Sequence, residues 1–241
     1  MRFILILILL PFSIFSQEKD SLKIKVSGFL ETYYAYDFSS PTTDSKLSFM
    51  YNYNRHNEFN VNNGLIRAQL QYGNTYASIA VHAGTYVDDN YASEDIKFVS
   101  EAFVGMYLND NKKSSIEVGI MPSYIGFESA TTATNLTLTR SILAENSPYF
   151  MTGIKYNYKP NDKWSFSGLV TNGWQRINKP DKTVAPALGT QVVYKPSEKT
   201  TLNWSTFIGK EFYGTELAMR YFNNLFWDNT WNSKWRTILG F

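Results

Sequence analysis

From Lys23 onward, apolar and polar side chains alternate in stretches of about ten residues, the period-two pattern of strands with two unlike faces. In the first stretch, Lys23 to Phe38, one face carries Ile24, Val26, Gly28, Leu30, Thr32, Tyr34, Tyr36 and Phe38. The other carries Lys25, Ser27, Glu31, Tyr33 and Asp37. Next, Ile66, Ala68, Leu70 and Tyr72 alternate with Arg67, Gln69 and Gln71. Gly73-Asn74-Thr75 turns the chain, and Ala77, Ile79, Val81 and Ala83 alternate with Ser78, Ala80, His82 and Gly84. Upstream, Phe59 and Val61 have the opposite parity, which predicts a bulge or a loop end at Asn62-Asn63-Gly64.

The same grammar continues. Val99 to Leu108 sets Ala102, Val104, Met106 and Leu108 against Glu101, Phe103, Gly105 and Tyr107, and a turn at Asn109 to Lys113 leads into Ile116, Val118 and Ile120. Further strands are predicted over 149–159, 164–174, 187–195, 200–209 and 219–227, with an eleventh from about Lys234 to Phe241. Lys159-Pro160-Asn161-Asp162 and Lys195-Pro196-Ser197-Glu198 are turn chemistry, with proline where no ladder donor is needed. The long connections are 39–57, 87–97, 123–148, 175–186 and 210–218, every second gap, so they gather at one end.

Strand length and this loop asymmetry fit an all-β, antiparallel up-and-down transmembrane barrel, whose strands need roughly nine to eleven residues and whose long loops face outward. One face would then meet lipid and the other a wet interior, where Glu31 costs little. In a dry core it would cost several kcal/mol. Trp164 and Trp204, close behind tight turns, suit an interfacial aromatic girdle.

The amino terminus agrees with export. Arg2, an apolar run from Phe3 to Leu10 and a small residue at Ser16 read as a cleaved signal peptide over residues 1–16, leaving a barrel domain over 17–241 and an outer-membrane destination. The apolar run is far shorter than the ~20 residues of a membrane helix. The chain has no cysteine, which excludes lipoprotein anchoring, disulfides and thiolate metal sites. Aromatics make up 17% of residues, and 23 Lys and Arg against 21 Asp and Glu leave no basic footprint for nucleic acid. Single-chain bacterial barrels have an even strand count with both ends periplasmic, and an eleventh strand after ten would finish on the outer side with an unpaired edge in lipid, so the reading favours an incomplete, C-terminally truncated barrel.

Three segments, PSYIGFESA (Pro122 to Ala130), ENSPYF (Glu145 to Phe150) and NGWQRI (Asn172 to Ile177), together with SGFLETYYAYDF (Ser27 to Phe38), resemble the OmpL-like outer-membrane β-barrel porins of Bacteroidota. The resemblance spans nearly the whole mature chain. It implies a porin-type barrel without catalytic residues, and members that usually run longer than this chain.

Candidate chemistry is sparse. His56 lies in an Asn-rich loop and His82 on the inner face, neither near a nucleophile at a recognisable spacing. Asp88, Asp89, Glu94 and Asp95 lack the spacing of a calcium loop and read as solvated surface, so no catalytic residue, metal or cofactor is assigned. The residues expected to line the lumen are Glu31, Tyr33, Arg67, His82, Glu101, Glu117 and Lys155, where opposed charges would orient polar solutes. Glu128, Arg140 and Glu145 are the candidates to pin loop 123–148 in the mouth as a constriction through charge-assisted hydrogen bonds. The leading expectation is passive diffusion of small hydrophilic solutes. The rival is a closed structural or adhesive barrel acting through its loops, and a soluble secreted β-domain such as a lectin ranks third. Partners are then outer-membrane lipid and small polar solutes. A homo-oligomer is allowed, although no flat apolar patch marks an interface.

Overall fold

The computed structural model describes residues 21–39, 41, 49–92, 94–179, 181 and 184–241. The leader predicted over 1–16 lies outside them. Eleven strands form one antiparallel sheet in chain order: β1 (Lys23–Tyr34), β2 (Phe59–Tyr72), β3 (Thr75–Ala83), β4 (Val99–Tyr107), β5 (Ser114–Pro122), β6 (Phe150–Tyr158), β7 (Trp164–Thr171), β8 (Ala187–Ser197), β9 (Thr200–Tyr213), β10 (Glu216–Thr230) and β11 (Arg236–Gly240). Two short helices, α1 (Thr85–Asn90) and α2 (Ile142–Glu145), lie in the loops after β3 and β5. No helix among the described residues is long and apolar enough to cross a membrane.

The alternation sets the register. Ile24, Val26 and Leu30 are 59, 68 and 70% exposed, whereas Ser27, Phe29, Glu31 and Tyr33 between them are partly covered. The outward rows of the other strands are also largely apolar, among them Ile66, Ile79, Val104, Val118, Ile154, Val170, Leu188 and Leu225. Removing one such side chain from water is worth about 1.5–3 kcal/mol, so a continuous apolar outer band calls for a non-aqueous surrounding. Trp164 stacks on Tyr194 at 4.3 Å and on Phe166 at 5.8 Å at the tight-turn end of that band. Tyr34 packs on Phe59 at 4.9 Å at the loop end.

The ladder shifts between Glu31, paired with Asn63, and Thr32, paired with Val61. Asn62 is therefore the extra residue of the bulge that the parity change predicts. A second shift, opposite Ala80 and Val81, leaves Ser100 unpaired and explains why Val99 departs from the parity of Ala102 and Val104.

The first strand ends at Tyr34, short of the predicted Phe38, and one predicted loop is wrong. Residues 210–218 do not form a long loop: β9 and β10 continue until Tyr213 pairs with Glu216, and Gly214 takes the left-handed turn position at φ 64°. The charged run Lys210, Glu211 and Glu216 reads as loop composition, but there the hairpin carries apolar Phe212, Tyr213, Leu217 and Met219 as well.

The sheet is open, with β1 and β11 as its edges. It is also strongly curled. Phe127, after β5, packs its ring 5.6 Å from Phe226 of β10, while the Thr132 hydroxyl donates to Glu31 of β1. Laid flat, β1 and β10 would be roughly 43 Å apart at ~4.8 Å per strand, but the five steps from Phe127 to Thr132 span at most ~18 Å. The inner face is thus the concave wall of an incomplete barrel.

Candidate functional site

Segment 123–148 crosses this concavity as a strap. Its first anchor is on the β8–β9 wall, where the Tyr124 hydroxyl donates to the Thr206 carbonyl at 2.6 Å. The Tyr124 carbonyl in turn accepts from Gln191 Nε2 at 2.8 Å and Ser205 Oγ at 2.9 Å. Gly189 makes the close approach possible, since a Cβ there would lie 2.0 Å from the Tyr124 hydroxyl. The Gly126 N–H then donates to Asn224 Oδ1 of β10 at 3.1 Å. Tyr124 and Ile125 pack with Met151, Leu169, Ala187 and Phe207 in a buried apolar cluster.

The second anchor is on β1. The Tyr53 and Thr132 hydroxyls both donate to the same Glu31 oxygen, and Asn62 Nδ2 donates to the other at 2.6 Å. Burial, followed by the Glu31 contact, pushes the Tyr53 phenol up to about 12, so it remains a donor. The bulge matters here, because it turns Asn62 inward beside Glu31 and Asn52.

Arg140 joins the loops. It is 6% exposed, with its guanidinium 4.6 Å from the Tyr86 ring of α1 and 4.3 Å from the Tyr149 ring. One terminal nitrogen donates to Asn52 Oδ1 at 3.1 Å and the Ala130 carbonyl at 3.3 Å, while Nε and the other terminal nitrogen have no hydrogen-bond acceptor. Burial works against its charge, but Tyr86, Tyr149 and Glu145 outweigh that and hold its pKa above the usual arginine value. Glu145 accepts from Asn52 at 3.1 Å and from the Tyr149 hydroxyl at 3.3 Å. Burial pushes its pKa up against the opposing pull of Arg140. Glu128 binds the N–H and hydroxyl of Ser141, whose side chain caps α2 at Ala144 N. The three residues read from the sequence as loop-pinning therefore act through amides, hydroxyls and rings, with no ion pair to one another. The attachment to the sheet falls to Tyr124, Gly126 and Thr132.

Two neighbouring loops complete the packing. Tyr86, Val87 and Tyr91 bury against Ile120, Tyr149, Phe150 and Ile177. Glu94 accepts from the N–H groups of Ile177 and Asn178, and burial raises its pKa. Gln175 receives the Tyr149 N–H at 2.8 Å and donates to Asn90. Asp88 pairs with Lys97 and Asp89 with Arg55, so of the acidic loop residues Asp88, Asp89 and Glu94 have protein partners.

Below the strap, Arg67 forms a two-pronged ion pair with Glu101, which also accepts from Ser78. Lys155 lies 3.4 Å from Glu117, and Tyr76 donates to Glu117 at 2.8 Å. Lys155 and Glu117 pair across neighbouring strands and Arg67 and Glu101 across β3, so these charges do not separate into an acidic and a basic wall. Tyr33 edges onto Tyr53 and bonds Thr85. The His82 Nε2 bonds the Lys97 carbonyl at 3.0 Å, and its ring packs against Tyr91 at 4.8 Å. Arg67 and Glu101 face a cavity of about 290 Å³ roofed by residues 125–131. On the loop side a separate cavity of about 420 Å³ opens among Tyr51, Asp89, Glu145, Trp174, Arg176 and Arg220.

Over residues 23–241 the chain matches the family "Putative beta-barrel porin-2, OmpL-like". The chain belongs to this family. No curated protein and no solved structure matches it. The OmpL-like membership makes this a porin-type barrel protein and associates it with the outer membrane.

Proposed function

We propose that the protein passes small hydrophilic solutes by passive diffusion, with segment 123–148 as the constriction that sets which solutes cross. The observation that carries this reading is the strap itself, fixed to β8–β10 at one end and to β1 at the other, with one cavity beneath it and another above. The wall below is polar and charged, as a solvated path requires, and the outer face is apolar, as lipid requires. Export by a cleaved leader over residues 1–16 belongs to the same reading.

A second reading has its own support. The cluster of Tyr86, Tyr91, Tyr149 and Phe150 packs the interior beside the strap, as a closed barrel acting through its outer loops would. Conductance in planar lipid bilayers separates the two. Discrete steps of reproducible size support diffusion. A protein that inserts, resists protease as a folded barrel and conducts nothing supports the closed form.

A further inference from the structure

The cavity on the loop side has an unusual charge pattern. Four charged side chains line it, and two are already paired: Asp89 with Arg55 at 2.7 Å and Arg176 with Glu211 at 3.6 Å. The other two, Glu145 and Arg220, have no ion-pair partner within 4.0 Å among the described residues. One cavity therefore presents a strap carboxylate whose opposing charge is the buried Arg140, beyond ion-pair contact, and a guanidinium from β10 with no carboxylate in contact.

Both groups are held in place. The Arg220 guanidinium lies 4.6 Å from the Trp174 ring and 5.2 Å from the Tyr213 ring, and its Nε donates to the Tyr213 hydroxyl at 3.0 Å. Stacking and the Nε bond fix the plane and leave the two terminal amino groups for a carboxylate, the two-pronged geometry that guanidinium favours. Trp174 is itself wedged against Phe207 at 5.0 Å and Phe222 at 4.8 Å. Across the cavity, Asn52 and Tyr149 orient the Glu145 carboxylate, and Tyr149 also bears the Arg140 guanidinium on its ring.

We infer that this cavity is a binding site for small zwitterions carrying a free ammonium and a free carboxylate, amino acids or short peptides, with Arg220 receiving the carboxylate and Glu145 the ammonium. The inference deepens the diffusion reading and rests on it for its role in transport. A solute with one charge satisfies one group and leaves the other unmatched, whereas a zwitterion satisfies both without net charge transfer into the mouth. Binding in such an open site is weak, as passage through a channel requires.

The test is calorimetric titration of the intact, detergent-purified protein with glycine, diglycine and triglycine. The controls are N-acetyl-triglycine, triglycine amide and N-acetyl-triglycine amide. The expected result is saturable millimolar binding of at least one free zwitterion, weaker by fivefold or more when either terminus is blocked. Arg220→Gln and Glu145→Gln should each lower affinity about as much as blocking the matching terminus, while responding little to the peptide blocked at that same end. The blocked-peptide series on the native protein keeps the test decisive if a variant folds poorly. No saturable binding, or equal binding of the free and doubly blocked peptides, overturns the inference. Single-channel recording on the same preparation reports the diffusion reading separately: steps without zwitterion binding defeat this site alone, and binding without steps defeats the diffusion reading alone.

Discussion

Below the strap, Arg67 reaches Glu101 and Lys155 reaches Glu117, one carboxylate for each cation; the two cations keep some exposure, while Glu101 is buried. Near the loops, Arg140 is buried and has no carboxylate partner, held instead by two aromatic rings and two amide oxygens. The difference follows from the medium. In water a charge needs little help and a partner adds at most about 1 kcal/mol, while a dry site demands contact on every side. The wall below the strap thus keeps its cations partly in solvent, and the loop-side interior packs closely around Arg140.

Arg140→Ala should break that contrast most. Removing a buried cation that bridges Tyr86, Tyr149, Asn52 and Ala130 should cost about 2–4 kcal/mol and free the strap. The readout is chymotrypsin cleavage at Tyr124 or Tyr149, at the two ends of the strap and both buried in the native fold; the native protein should resist there where the variant is cut. Gly189→Val comes next, because its side chain would occupy the place of the Tyr124 hydroxyl. A loss of about 1–3 kcal/mol is expected, measured by the unfolding midpoint on unboiled gels, and the same loop should become cleavable.

Arg67→Ala should do less to stability, about 1–2 kcal/mol: the guanidinium is partly exposed, but its removal strips the cation from the buried Glu101. Its effect should appear as a shift toward cation selectivity in the reversal potential, because Glu101 is left unmatched on the inner wall.

Acidification sharpens the comparison with the smallest effect. Glu145 and Glu94 have pKa values raised by burial, so the folded loops favour their protonated forms and the cost of their charge is relieved as pH falls through the raised values. For Asp89 burial is outweighed by Arg55 and Asn54, and its lowered pKa keeps that contribution until pH falls below the ordinary range near 3.8. Between pH 7 and about 5 these three loop groups should therefore give no acid release of the strap, which should stay resistant to chymotrypsin.

The ladder was readable from the sequence because its cause is local. Period-two alternation, the Gly73-Asn74 turn and the parity change at Asn62 each depend on a few consecutive residues. The Arg67 to Glu101 pairing was within reach too, since that turn sets Arg67 opposite Ala80, and Ala80 faces Glu101. The strap anchors were not. Tyr124 finds Thr206 82 positions away and Thr132 finds Glu31 101 positions away, distances that only the curl of the sheet brings together. Asn52, Tyr86 and Arg220 gave no warning in composition or spacing, and an inward-facing glycine at 189 was the one local sign that something lies against the wall. Hairpin 210–218 was misread because its charged residues share a strand edge with apolar ones.

The central claim is that the strap limits passage, and single-channel conductance of the native protein beside Arg140→Ala tests it most directly. The account predicts small, discrete native steps and larger steps in the variant once chymotrypsin shows the strap released. Equal steps from a variant whose strap is demonstrably free, or silence from both, would contradict it.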